Sequence, residues 1–290
     1  MSPGYSTEMI YTTLIDAAAA QAHVTDRDWV FVDCRFDIRD TARGRREYLV
    51  SHIKGAVYAD LDKDLSGPLV PGRTGRHPLP DLESLVKVFG KLGIGQQTQV
   101  IAYDESTGAM AAARLWWLLK WAGHEAAAAL DGGFKAWAGA GLPCGTGPES
   151  RTPSAFAASF RPELVVDTPQ VFSVMEDPGW VLLDARAADR YRGENETIDP
   201  VAGHIPGAVS APYGAALGPD GLFKPPGEIA RYYDSATGGR DPEHTIVYCG
   251  SGVTAAHAVL ACAHAGRGMP RLYAGSWSQW ITDRDRPTVR

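Results

Sequence analysis

One pattern occurs twice along this chain, and that duplication restricts the fold more than any other feature. In the first copy, a β-branched run at 29–34 closes in Asp33-Cys34-Arg35. It is followed by His52-Ile53-Lys54-Gly55-Ala56-Val57, an apolar run at 99–103, a loop and helical stretch at 104–122, and Asp131-Gly132-Gly133-Phe134-Lys135-Ala136-Trp137. In the second, a run at 180–184 closes in Asp184-Ala185-Arg186. Then come His204-Ile205-Pro206-Gly207-Ala208-Val209, a run at 245–248, a loop at Cys249 with its helix, and Ala274-Gly275-Ser276-Trp277-Ser278-Gln279-Trp280. Asp33 and Asp184 are 151 residues apart, His52 and His204 are 152, and Asp104 and Cys249 are 145, as suits duplicated domains whose loops have drifted. Short apolar runs alternate with helical stretches, which predicts in each copy an α/β domain with a mostly parallel central sheet covered by helices. VFVD, VIAYD, VLLD and TIVYC are nearly continuous apolar runs, the pattern of strands buried on both faces. In such sheets ligands bind beyond the carboxyl ends of the strands, where the Cys249 loop falls.

The Pro-, Gly- and Ser-rich stretch 143–163 reads as the linker, and it divides the chain into domains at 1–150 and 151–290. No apolar run is long enough to span a membrane. The start, MSPGYSTEMIYTTL, lacks a basic region followed by an apolar core, so a cytoplasmic protein is expected. Net charge is −6, from 28 basic and 34 acidic residues with no basic stripe. Nucleic acid is therefore disfavoured as a partner, and an anion site must be made locally from arginines and backbone amides. The four cysteines, Cys34, Cys144, Cys249 and Cys262, show neither a C-x-x-C pair nor the cysteine-histidine spacing of zinc, so no metal is expected. Cys34 and Cys262 read as packing residues, and Cys144 as an exposed thiol in the linker.

Tyr248-Cys249-Gly250-Ser251-Gly252-Val253-Thr254 lies between an apolar run and an alanine-rich stretch at 255–265, which predicts strand, tight loop, helix. The two glycines allow the positive φ angles of a sharply curved loop. At such a turn, backbone N–H groups and the positive end of the helix dipole converge and stabilise negative charge, which makes Cys249 the candidate nucleophile. A tyrosine-phosphatase-type loop also places a cysteine between strand and helix. Its chemistry needs an arginine six positions after the cysteine, where this chain has Ala255.

CGSGVTA after a buried strand, preceded by D-A-R and H-I-P-G-A-V and followed by Y-A-G-S-W-S-Q-W, resembles the tandem-domain rhodanese sulfurtransferases. That family includes thiosulfate and 3-mercaptopyruvate sulfurtransferases, and the resemblance covers nearly the whole chain. It implies a ping-pong enzyme without organic or metal cofactor. Cys249 takes sulfur from a small-molecule donor and passes it as a persulfide to a thiophilic acceptor such as cyanide or a thiol; a protein acceptor stays open. The backbone of Gly250, Ser251, Gly252, Val253 and Thr254 would cradle the persulfide. A rhodanese-fold scaffold with an incidental cysteine, and a phosphatase-like cysteine enzyme, remain as alternatives.

The first copy has Asp104 where the second has Cys249. A carboxylate cannot carry sulfane sulfur, so the N-terminal domain should be catalytically silent. Arg186 reads mainly as a structural partner of Asp184, as Arg35 is of Asp33, with substrate binding as its alternative role. Arg190 has no counterpart that the duplication explains, and by resemblance the second arginine of D-x-R-x-x-x-R binds the donor anion. A planar guanidinium suits a carboxylate or thiosulfate oxygens. His52 and His204 open the repeated H-I-x-G-A motif and read as structural. In 3-mercaptopyruvate sulfurtransferases, however, a first-domain histidine and an upstream aspartate form a proton relay to the active-site serine, and the resemblance implies His52, Asp40 and Ser251 for it. Donor choice is expected to include both thiosulfate and 3-mercaptopyruvate, with a modest advantage for the latter, since Gly250, Ser251 and Gly252 put no cation in the loop. A second substrate arginine, expected between Arg190 and H-I-P-G, is missing from the acidic stretch 194–203.

Overall fold

The computed structural model describes residues 10–105, 107, 108 and 111–290. Residues 1–9, which entered the expectation about a secretory signal, and Ser106, in the first copy's counterpart of the cysteine loop, lie outside them.

Each copy folds into one five-stranded, wholly parallel sheet. In the first, the spatial order is Leu14–Ile15, Ala127–Leu130, Gln99–Tyr103, Trp29–Asp33, Val57–Tyr58. In the second it is Val165–Val166, Arg271–Tyr273, Thr245–Tyr248, Val181–Asp184, Val209–Ser210. The two orders correspond strand for strand, so the repeat seen in the sequence is also a repeat of topology. The central strands are buried throughout, which accounts for their lack of polar alternation.

Helices Ala111–Trp121 and Thr254–His264 follow equivalent strands in the two copies and pack on each other. Every residue of the first is buried, as are 255–262 of the second, because each faces its own sheet on one side and the other copy on the opposite side. One apolar core therefore runs from Val30 and Val100 through Leu115 and Trp116 to Val259, Leu260 and Val247. The expected linker is ordered against the first copy. Cys144–Gly145 pairs antiparallel with His52–Ile53, and the N–H groups of Ser154, Ser159 and Arg161 donate to Gly90 O, Ala122 O and Trp121 O at 3.0, 2.9 and 2.9 Å.

Candidate active site

The duplicated motifs build the same scaffold in both copies. Arg186 Nε donates to both oxygens of Asp184 at 3.0 Å, and Nη2 donates to Gly203 O at 2.7 Å; Arg35 repeats this with Asp33 and with Ser51 O at 2.6 Å. Burial works against both guanidinium charges, but the paired aspartates outweigh it and raise both pKa values. His204 Nδ1 lies 2.9 Å from Tyr191 O with the two rings stacked, and His52 Nδ1 lies 2.7 Å from Tyr48 O in the same arrangement. His52 is thus engaged with the scaffold of its own domain. Asp40 is a half-exposed carboxylate paired with Arg46. The structure does not bring either residue to Ser251.

The imidazole at Ser251 is that of His77. Its Nδ1 lies 2.8 Å from Ser251 Oγ, and its Nε2 lies 3.3 Å from Asp62 Oδ1. Burial, followed by the nearby charges of Arg114 and Arg76, lowers the His77 pKa to about 3, so the ring is neutral at physiological pH. A neutral ring whose Nε2–H faces Asp62 has Nδ1 free to accept the Ser251 hydroxyl proton. Asp62 is itself raised, by burial and then by Asp60.

Cys249 is the first residue after strand Thr245–Tyr248 and is 1% exposed. Gly252 N–H donates to its Sγ at 3.2 Å. The loop is held from both sides: Cys249 N–H donates to Ser276 Oγ at 3.1 Å, while the N–H groups of Trp277 and Ser278 donate to Cys249 O and Gly250 O at 3.0 and 2.9 Å. Gly252 has φ +76°, and a Cβ there would stand 2.4 Å from Ala274 O, so only glycine fits. Helix Thr254–His264 starts at once, without a capping side chain.

Arg114 ties the histidine segment to the cysteine loop. Fully buried in the mostly apolar helix Ala111–Trp121, it donates to His77 O at 3.1 Å, Pro78 O at 3.3 Å, Leu65 O at 3.4 Å and Gly252 O at 3.2 Å. Burial pushes its pKa down to about 10, which still leaves it charged.

Above Gly250 lie two guanidinium groups. A Cβ on Gly250 would be 2.8 Å from Arg76 Nη2 and 3.6 Å from Arg190 Nη2. Arg190 is held by Glu196, Nε to Oε2 at 3.0 Å and Nη2 to Oε1 at 2.9 Å, and its Nη2 also reaches Asp199 Oδ2 at 3.0 Å. Arg76 Nη1 pairs with the other oxygen of Asp199. Burial raises Asp199 against the pull of Arg76. Burial would raise Glu196 too, but the N–H groups of Asp199 and Ile198, with Arg190, outweigh it and lower its pKa. The acidic stretch that lacks an arginine thus supplies the carboxylates that orient one.

In the first copy, Asp104 is buried and accepts from Gly108 N–H at 2.9 Å. Cys34 and Cys262 are buried, and burial raises both thiols; Cys144 is exposed. Sequence reasoning missed Asp62, Arg76, His77 and Arg114. A readable signal existed for the last, a lone arginine early in an apolar helix.

The rhodanese-like domain model matches residues 16–140 and 169–283. A Pseudomonas aeruginosa protein named a probable 3-mercaptopyruvate sulfurtransferase is 46% identical over 277 residues, covering 95% of this chain and 97% of that protein. The thiosulfate sulfurtransferase of Bos taurus is 32% identical, over 83% of this chain and 81% of its own length. Among solved structures, the 3-mercaptopyruvate sulfurtransferase from Leishmania major superposes with a TM-score of 0.82 at 32% identity, covering 95% of this chain and 75% of that one. With both domains matched and the cysteine loop in the second, the chain belongs to the tandem-domain rhodanese sulfurtransferases.

Proposed function

We propose that Cys249 carries sulfur from 3-mercaptopyruvate or thiosulfate to a thiophilic acceptor, with a modest preference for 3-mercaptopyruvate. The observation that carries this reading is the Gly252 N–H directed at Cys249 Sγ at 3.2 Å in a loop that runs into a helix N-terminus, a setting suited to an anionic sulfur. With thiosulfate, the thiolate attacks the outer sulfur, the S–S bond breaks and sulfite leaves with the bonding pair. With 3-mercaptopyruvate, the thiolate attacks the thiol sulfur, the C–S bond breaks and the pair stays on carbon as pyruvate enolate. The enolate then takes up the proton that the new persulfide gives up. Ser251, paired with His77, holds a hydroxyl where that proton moves, and Asp62 orients the ring. Cyanide or a thiolate finally takes the outer sulfur and restores the Cys249 thiolate.

The two domains divide the work. Residues 1–150 contribute Arg76, His77 and Asp62, and residues 151–290 contribute the sulfur-carrying loop and Arg190. Four free cysteines, one of them exposed, suit a reducing, cytoplasmic setting. The net charge of −6 argues against nucleic acid as a partner, and no helix among the described residues is long and apolar enough to cross a membrane.

The test is incubation with donor in the absence of acceptor, followed by intact mass and peptide mapping. One added sulfur on Cys249 is expected. Turnover by Cys249→Ser, or sulfur mapping to Cys34, Cys144 or Cys262, overturns the assignment; no persulfide from either donor leaves a scaffold protein.

A further inference from the structure

We propose that Arg76, from the N-terminal domain, is the second donor-binding cation, and that Asp199 is a resident carboxylate which the donor's anionic end displaces from between Arg76 and Arg190. The inference rests on the sulfurtransferase reading and deepens it. One oxygen of Asp199 pairs with Arg76 and the other with Arg190, so a single carboxylate already bridges two guanidinium groups that come from different domains. Both groups stand over Gly250, next to the sulfur-carrying residue, and Cys249 is 1% exposed with this bridge in place. A carboxylate or sulfonate taking the same two partners would bring its adjoining atoms down toward Cys249.

Arg76 has donor capacity to spare, since its Nε is buried and has no hydrogen-bond partner among the described residues. Its backbone is fixed where a binding group needs to be fixed. Arg76 N–H donates to Ser278 Oγ at 3.1 Å, Gln279 Nε2 donates to Arg73 O at 3.0 Å, and a Cβ on Gly75 would stand 2.5 Å from Gly275 O. The segment is clipped onto the turn that closes the cysteine loop. Glu196 differs from Asp199: besides holding Arg190 by two bonds, it accepts two backbone N–H groups and lies 3.5 Å from Arg186 Nη1, so it keeps Arg190 in place when Asp199 leaves. Once displaced, the Asp199 carboxylate remains beside the seat, and its negative charge repels a doubly charged donor more than a singly charged one.

The experiment compares three donors of falling charge: thiosulfate, 3-mercaptopyruvate and the methyl ester of 3-mercaptopyruvate, which keeps the reacting atoms and loses the carboxylate. In Arg76→Ala, KM should rise about ten- to hundredfold for the two anions and least for the ester, with Arg76→Lys recovering part of the loss. In Asp199→Asn, the ratio of kcat/KM for thiosulfate to that for 3-mercaptopyruvate should increase by about threefold or more. Equal losses on all three donors in Arg76→Ala would mark disturbed docking of the domains and overturn the proposal, as would no change in KM. An unchanged or reversed donor ratio in Asp199→Asn overturns the displaced-carboxylate role. A wild-type protein that forms no persulfide with any of the three donors would instead defeat the underlying sulfurtransferase reading.

Discussion

His77 Nδ1 lies 2.8 Å from Ser251 Oγ, although 174 residues separate the two in sequence and each belongs to a different copy of the repeat. The pair forms only when the two domains dock, so this part of the proposed site is a product of the interface. Ser251→Ala and His77→Gln should lower kcat/KM for 3-mercaptopyruvate by about a hundredfold, because its leaving enolate needs a proton. The loss on thiosulfate should be far smaller, since sulfite leaves without one. Steady-state kinetics on both donors check this, and equal losses on the two would remove the pair from the proton path.

The burial of His77 has a consequence for acid stability. Its folded pKa is about 3 and the unfolded value is near 6.5, so between these limits the unfolded chain binds more protons and stability falls as pH falls. The contribution is complete above pH 6.5 and is lost progressively down to about pH 3. From pH 7.5 to 5, wild type should lose about 2 kcal/mol more than His77→Gln in urea unfolding. The pH profile of kcat/KM should likewise show no step near 6.5 from this ring.

Much of the architecture could be read before any coordinates, and the site only in part. The paired D-x-R and H-I-x-G-A motifs led to the two sheets and to the strand-end position of Cys249, because these features repeat and depend on local backbone. His77 and Arg76 lie in a stretch between the first copy's motifs, and they meet Ser251 and Asp199 through docking that no spacing reveals. His52 drew the relay assignment through the family resemblance, which implies a first-domain histidine, although its repeated motif reads as structural. Its Nδ1 instead lies at Tyr48 O, as His204 Nδ1 lies at Tyr191 O.

Arg190 should act on binding. Arg190→Ala is expected to cost about 1.5–3 kcal/mol in kcat/KM, roughly ten- to hundredfold, mostly through KM. It will also leave the buried Glu196 with only the longer 3.5 Å contact to Arg186, so circular dichroism and unfolding curves should accompany the kinetics. Unchanged KM on both donors would exclude it from the donor seat.

Arg114 touches no reacting atom, yet its removal should be severe. Arg114→Met removes the buried donor from the carbonyls of Leu65, His77 and Gly252, while Pro78 O keeps the Gly67 N–H, at a cost of about 3 kcal/mol or more in urea unfolding. Full stability in that variant would show the four bonds to be dispensable.

Gly252→Ala places a Cβ 2.4 Å from a backbone oxygen at φ +76°, which the turn cannot absorb without moving the N–H that faces Cys249. Persulfide formation should be lost while the far-ultraviolet circular dichroism is kept. A variant that still loads sulfur at the wild-type rate would mean that this N–H is not what steadies the anion.

The seam between helices Ala111–Trp121 and Thr254–His264 bears on how the chain can be taken apart. Cut at the linker, each half would present to water the face of its helix that packs on the other, and in the second half that helix is alanine-rich. Neither piece would behave as an independent module, despite having its own complete sheet. Two units that repeat one topology thus share a single core, and grafting a foreign first half would require matching the helix seam as well as the residues over the cysteine.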